Sequence, residues 1–457
     1  MKRILSSILL TLFAYAIPII SQTYKPTWES LDKRPVPTWF ENAKFGIFIH
    51  WGVYSVPSWA STKGSVYEKY AEWYWNRVNS DTPLQSFVDF HKKTYGEKVH
   101  YQDFVNQFKA ELFNPDQWAE IIKNSGAKYV VLTSKHCEGF ALWPSSESLN
   151  WNSVDVGPHR DLCGDLTNAV KKQGLKMGFY YSLYEWFNPV YKSNPAKYVD
   201  EHMIPQMKDL VTRYKPDILW ADAEWEHTSS EWKSPEFLAW LFNDSPVKDN
   251  IAINDRWGKD TRGKHGGYYT TEYNLVDNEN VKEKVIDHPW EECRGIGSSF
   301  GYNRNENLED YNSSEALIHV LIEKVARGGN LLLDIGPTAD GRIPVIMQQR
   351  LADIGSWLKI NGESIYNSRV WNHASNNKIA NVYFTSKPNA VYVFVTKWTN
   401  KPLTLKVDKH ISGVQMLGYS GKIKYSASNK SVTIVPPILT PDKNPCQAAW
   451  VYKLILN

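Results

Sequence analysis

Several short apolar runs in this sequence carry polar side chains at or near their ends that could share one site: His50, His136, Tyr180, Asp222, Arg256 and Glu272. Loops over the same place would add Glu72 and Trp73, from Tyr70-Ala71-Glu72-Trp73. The set holds two carboxylates contributed by different segments. Two such groups about 5–5.5 Å apart can cleave a glycosidic bond with retention: one attacks the anomeric carbon, and the other protonates the leaving oxygen and then activates water. They need unequal acidities, one held low by cations and hydrogen bonds and one raised. Arg256 and the histidines could supply the donors. Singly, each residue has a plainer use. An Asp after a strand commonly caps the next turn, a His there is commonly a hydrogen-bonded core residue, and Glu272 could lie on a solvated face. Glu291 and Glu292 compete as the acid, since Trp290-Glu291-Glu292-Cys293 ends near the same place. Spacing does not choose among them; joint occurrence at one face of a barrel favours an enzyme.

Strands must present these residues. The clearest is Pro216-Asp217-Ile218-Leu219-Trp220-Ala221-Asp222. Its proline stops the preceding helical pattern, its apolar run suits a strand covered on both faces, and a carboxylate ends it. In a parallel barrel, such strand ends point into the site. Similar runs at 44–52, 128–136, 175–182, 250–256, 268–272, 290–296 and 330–336 complete eight strands. Helices are expected at 114–126, 161–174, 199–214, 314–327 and 344–359, several marked by a cap, a proline in the first turn or a terminal glycine. This predicts a (β/α)8 TIM-like barrel, irregular because helical signals after strands five, six and seven are weak or missing. From about Tyr366 the pattern changes to alternating strands and short turns, with Lys387-Pro388-Asn389 as a hairpin signal. That predicts a C-terminal antiparallel β-sandwich. The expected division is a signal peptide at 1–22, a catalytic barrel at 23–365 and the sandwich at 366–457.

Composition narrows the partners. With 52 basic and 49 acidic residues the net charge is +3, which gives no electrostatic case for nucleic acid or a membrane surface. Twenty Trp and 26 Tyr suit large cores, and also sites where sugar rings lie against aromatic faces. Lys2-Arg3 followed by a mostly apolar run to Ile20 reads as a secretory signal, so the mature chain is expected to be exported and not inserted in a membrane. Cys137, Cys163, Cys293 and Cys446 lack metal-ligand spacing, and no obligatory disulfide is expected. No metal or cofactor is called for.

The combined strings resemble the α-L-fucosidases of glycoside hydrolase family 29. They are Lys44-Phe45-Gly46-Ile47-Phe48-Ile49-His50-Trp51-Gly52, Thr133-Ser134-Lys135-His136, Leu219-Trp220-Ala221-Asp222, Asn254-Asp255-Arg256-Trp257 and Ser299-Phe300-Gly301-Tyr302-Asn303, with Gly328-Gly329-Asn330-Leu331-Leu332-Leu333 and Ile360-Asn361-Gly362-Glu363-Ser364-Ile365-Tyr366. The resemblance spans nearly all of the mature chain. It implies Asp222 as nucleophile and Glu272 as acid/base. It also implies fucose contacts from His50, Glu72, Trp73, His136, Tyr180, Trp220, Arg256 and Phe300, with Phe300 against the C6 methyl. It implies a fucosylated oligosaccharide or polysaccharide as partner and no cofactor.

One position departs from the family pattern, which usually has a second histidine where Cys137 stands. The expectation is that a thiol here replaces a sugar-facing imidazole. The reading is an exported retaining exo-α-L-fucosidase. The alternatives are an α-L-galactosidase or sulfated-fucose hydrolase on the same scaffold, and a non-catalytic fucose-binding protein.

Overall fold

The computed structural model describes residues 23–273, 288–373, 376–377 and 379–456. The expected signal peptide lies outside the described residues. The barrel strands are β1 (Phe45–Ile49), β2 (Tyr129–Lys135), β3 (Lys176–Ser182), β4 (Ile218–Asp222), β5 (Ala252–Ile253), β6 (Tyr269–Glu272), β7 (Trp290–Gly295) and β8 (Asn330–Ile335). They form one sheet in the order β5-β4-β3-β2-β1-β8-β7-β6. Every pairing within it is parallel.

Both faces of this sheet are buried, which is why its strands read as continuous apolar runs. Their side chains still alternate. Phe48, Tyr129, Val131, Tyr180, Ile218, Trp220, Tyr268, Cys293 and Leu332 pack together inside the barrel. Ile47, Ile49, Val130, Leu132, Phe179, Tyr181, Leu219, Leu331 and Leu333 pack in the larger core that includes the surrounding helices. The inward series run on into the site at two-residue steps: Phe48 to His50, Ile218 and Trp220 to Asp222, Tyr268 and Thr270 to Glu272. On β2 the step is broken. The register against β3 slips between Thr133 and Lys135. Lys135 therefore turns outward to Glu185, and His136 takes the inward place.

The helices form where caps and apolar spacing direct them. Asn114 accepts from Gln117 N at 3.1 Å to start Pro115–Asn124. Asp161 accepts from Gly164 N at 2.8 Å to start Leu162–Lys172. The helix Ile204–Tyr214 is preceded by a wider turn, Val199–Met203. Val345–Asn361 closes the barrel. One difference from the sequence reading stands out. A helix, Ser234–Asn243, follows β4 and buries Phe237, Leu238, Leu241 and Phe242. The helix expected at 314–327 forms as Ser314–Ala326 after β7, and among the described residues none follows β5.

The fifth strand is also shorter than expected. The Asn254 side chain donates to Ala221 O at 2.8 Å and accepts from Ala221 N at 3.3 Å, so side-chain bonds replace the ladder there. The sheet closes between β5 and β6 through two backbone bonds, Tyr268 N to Ile253 O and Gly267 N to Asn254 O, each 3.0 Å. Gly267 makes this approach possible, since a Cβ there would sit 1.8 Å from Ile253 O.

The C-terminal unit holds a five-stranded and a three-stranded antiparallel sheet. Its hairpin pairs Val382–Lys387 with Ala390–Val395 around Pro388-Asn389. The two sheets enclose Phe384, Val393, Leu405, Ile434 and Leu454. Trp357 of the closing helix donates to Ala449 O at 2.8 Å and ties this unit to the barrel.

Gly267→Ala should lower stability by about 1–3 kcal/mol, because the new methyl meets backbone that cannot rotate away. Chemical denaturation of both proteins checks this. An unchanged midpoint and slope would show that the β5–β6 junction does not need the close approach.

Candidate active site

A cavity of about 350 Å³ opens at the carboxyl ends of the barrel strands. The structure brings together His50, Glu72, Trp73, His136, Tyr180, Trp220, Asp222, Arg256, Glu272 and Phe300, all of which line it. Phe48, Tyr67, Tyr70, Arg77, Trp225, Arg262 and Cys293 complete the wall.

Arg256 joins the two carboxylates. Its Nη1 donates to Asp222 Oδ1 at 2.7 Å, and its Nη2 lies 3.4 Å from Glu272 Oε2. Its Nε donates to Thr270 Oγ1 at 2.9 Å, whose hydroxyl in turn donates to Asp255 at 2.7 Å. The guanidinium carbon sits 4.5 Å from the centre of the Trp220 ring. A guanidinium so pinned is a fixed fork, not a mobile counter-ion.

Asp222 also accepts from Tyr180 OH at 3.0 Å, and Arg262 Nη2 lies 3.8 Å away. Burial by itself would raise this carboxyl, but the Arg256 and Arg262 guanidiniums outweigh it and hold Asp222 below the ordinary carboxylate range. Glu272 accepts from Tyr70 OH at 2.6 Å and keeps part of its carboxyl in solvent. Each carboxylate is followed by a non-glycine residue in the left-handed region, Ala223 at φ 59° and Tyr273 at φ 47°. These tight turns, at a conformational cost, end both strands abruptly beside the cavity.

The remaining wall is apolar with polar corners. Tyr180 stacks between His136 and Trp220, with ring centres 5.7 Å apart on each side. Phe300 stacks on His50 at 4.9 Å. Burial, helped by nearby His136, keeps the His50 imidazole neutral. Its Nδ1 shares a hydrogen bond with Asp334 Oδ1, 2.7 Å away, which holds the ring in place. Glu72 is buried and accepts from Gly301 N at 2.9 Å, which ties its loop to the segment carrying Phe300. Burial raises the Glu72 carboxyl, with His136 offsetting part of that.

The competing acids lie elsewhere. Glu291 is buried inside the barrel beneath the cavity, accepting from Tyr129 OH and, at 3.0 Å, from Trp220 Nε1. Burial pushes its carboxyl up to about 7, partly countered by those hydrogen bonds. Glu292, one residue on, faces the opposite way and pairs with Arg294 at 2.8 Å and Lys324 at 3.1 Å. Cys137 does not face the cavity, contrary to the expectation from sequence. Its thiol is fully buried, accepts from Ser182 Oγ at 3.4 Å and is not part of the cavity wall. All four cysteines are free thiols.

Besides the wall residues Tyr67, Arg77 and Trp225, the sequence reading missed Asp334, Glu224 and Arg262. Asp334 is the last but one residue of β8, so a carboxylate near a strand end marks it much as it marks Asp222. Glu224 and Arg262 carried no such signal. Arg262 Nε donates to Glu224 Oε1 at 2.5 Å, and Arg262 Nη2 lies 3.8 Å from Asp222 Oδ1, the oxygen that Arg256 also holds. Among the described residues no group of three or more His, Cys, Asp or Glu is arranged to hold a metal ion.

An ionised carboxylate and a second, solvent-reached one on a shared guanidinium, in an aromatic-walled pocket of a (β/α)8 barrel, define a glycoside hydrolase. The α-L-fucosidase family model matches residues 11–363, and that of the α-L-fucosidase C-terminal domain matches residues 375–455. The chain belongs to the α-L-fucosidase family, glycoside hydrolase family 29. It is 44% identical to the human tissue α-L-fucosidase over 446 residues, covering 94% of this chain and 91% of that one. It is 43% identical to an α-L-fucosidase of Branchiostoma floridae, covering 98% and 99% of the two chains. Among solved structures, the Thermotoga maritima α-fucosidase in complex with a mechanism-based inhibitor superposes with a TM-score of 0.80 at 36% identity, over 95% of this chain and all of that one.

Arg262 has a measurable consequence. Removing a cation that lowers the Asp222 pKa must raise it, and a carboxylate can act as a nucleophile only when ionised. Arg262→Met should therefore shift the acidic limb of the kcat/KM profile to higher pH. Other groups facing Asp222 are Arg256, Tyr180 and Glu224, with the thiols of Cys137 and Cys293 nearby, and all remain in the variant. An acidic limb that stays in place would remove Arg262 from this role.

Proposed function

We propose that the protein is an exported retaining exo-α-L-fucosidase that releases terminal α-L-fucosyl residues through a covalent intermediate on Asp222. The observation that carries this is the single guanidinium of Arg256 held against both Asp222 and Glu272. Asp222, kept anionic, attacks the anomeric carbon from one face. Glu272 gives a proton to the leaving glycosidic oxygen, then takes one from the water that cleaves the fucosyl ester. Tyr180 donates to Asp222 and helps steer the attacking oxygen.

In this reading the sugar is held by neutral His50, by His136 and Glu72, and by the aromatic faces of Trp73 and Trp220. Phe300, packed on His50 and 6.4 Å from Phe48, forms an apolar wall suited to a C6 methyl. A hydroxyl there would lose its hydration without a designated partner. That supports fucose over L-galactose. The buried position of Cys137 withdraws the argument that it opens a slot for a sulfate. The relatives named as α-L-fucosidases support the same substrate class. The basic start and apolar run before Ser21 support export. Among the described residues no helix is long and apolar enough to cross a membrane.

Asp222→Ala should lower turnover about a thousandfold or more, with azide restoring part of it as a β-fucosyl azide. Near-normal turnover would refute the nucleophile.

Glu272→Ala should slow substrates with poor leaving groups about 10²–10⁴-fold while sparing activated aryl fucosides. The same selectivity in Glu291→Ala instead would move the acid to the barrel interior.

Aryl α-L-fucoside should be cleaved far faster than aryl α-L-galactoside, which differs by one hydroxyl on C6. Equal rates would mean that the Phe300 wall does not read the methyl.

A further inference from the structure

Three exposed large aromatic side chains occur among the described residues: Tyr67, Trp225 and Tyr425. Two of them, Tyr67 at 48% exposed and Trp225 at 39%, border the cavity that holds Asp222. The floor of that cavity is the opposite: His50, His136, Tyr180 and Trp220 are each at most 4% exposed. Depth thus separates a buried floor from an outer aromatic rim.

The rim is built into the fold. Arg77 Nη2 donates to the Tyr67 carbonyl at 3.0 Å, and the Arg77 guanidinium lies 4.9 Å from the Trp73 ring centre. Trp73 and Trp225 are 5.9 Å apart with planes inclined by 33°. Trp225 meets Tyr184 edge-on at 5.9 Å. Tyr67 meets Tyr70 edge-on at 5.9 Å, and Tyr70 OH donates to Glu272 at 2.6 Å. Tyr67 is therefore one ring contact from the carboxyl assigned to the leaving oxygen. Trp225 stands three residues beyond the carboxylate assigned to attack. Whatever is attached to the leaving oxygen must lie beside Glu272 and so against this rim.

We propose that Tyr67 and Trp225 form a leaving-group subsite for a pyranose, the sugar to which the fucosyl residue is attached. This rests on the fucosidase reading above and adds to it the recognition of the aglycone. A pyranose has an apolar C–H face that suits exposed aromatic rings and hydroxyls at its edge that suit polar neighbours. Arg77 and Arg262, which border the same opening, are donors of that kind. A purely apolar leaving group would cover the rings and strip water from both cations without replacing it.

The test compares two substrates. One is α-L-fucosyl fluoride, whose leaving group reaches no rim residue. The other is a disaccharide of α-L-fucose on galactose. In Tyr67→Ala and Trp225→Ala the ratio of kcat/KM on the disaccharide to that on the fluoride should fall about 5–20-fold, the worth of one stacked ring each. Trp225→Phe should keep most of that ratio, because a ring face remains. Equal losses on both substrates would make the rings supports of the buried floor and overturn the subsite. A ratio unchanged in both alanine variants would overturn it too. A wild-type enzyme unable to hydrolyse the fluoride would instead refute the fucosidase reading, and the subsite would fall with it.

Discussion

The pocket depends on one buried cation. Arg256 is almost entirely removed from water, and an unpaired charge there would cost several kcal/mol. The structure answers each face of the guanidinium: Asp222 on one nitrogen, Glu272 near the second, Thr270 on the third, and the Trp220 ring beneath. The same contacts orient the two carboxylates toward one space and keep Asp222 charged. Strands β4 and β6, which do not touch in the sheet order, are thereby coupled through a residue that follows β5.

That coupling explains why the irregular part of the barrel is where it is. Strand β5 is cut to two paired residues because Asn254 bonds to the β4 backbone with its side chain. The chain is then free to turn Arg256 inward, and Gly267 lets β6 approach closely enough to close the sheet. The slip on β2 does the same for His136, at the cost of sending Lys135 outward into a buried pair with Glu185. Irregularity here is local and falls at positions that aim a side chain.

Beneath the cavity a second set of polar groups supports the first. Glu291 receives the Trp220 indole N–H, and Asp334 is hydrogen-bonded to the His50 imidazole. Neither needs to touch a sugar to matter. Each fixes a ring that borders the cavity.

The sequence by itself determined the barrel, the sandwich and the strand-end residues. Short apolar runs separated by capped helices admit few architectures, and inward residues at two-residue steps lead to His50, Asp222 and Glu272 whatever the exact strand ends. It did not separate Glu272 from Glu291 and Glu292. Only the pleat shows that Glu291 points into the barrel and Glu292 out to Lys324. Nor did it place Cys137, whose neighbour His136 takes the cavity position once the β2 register slips. Arg262 and Glu224 were invisible for a related reason: they lie in loops far apart in the chain, and only closure of the tertiary structure sets them together beside Asp222. Local pattern reports burial and periodicity, whereas the meeting of loops depends on contacts distant in sequence.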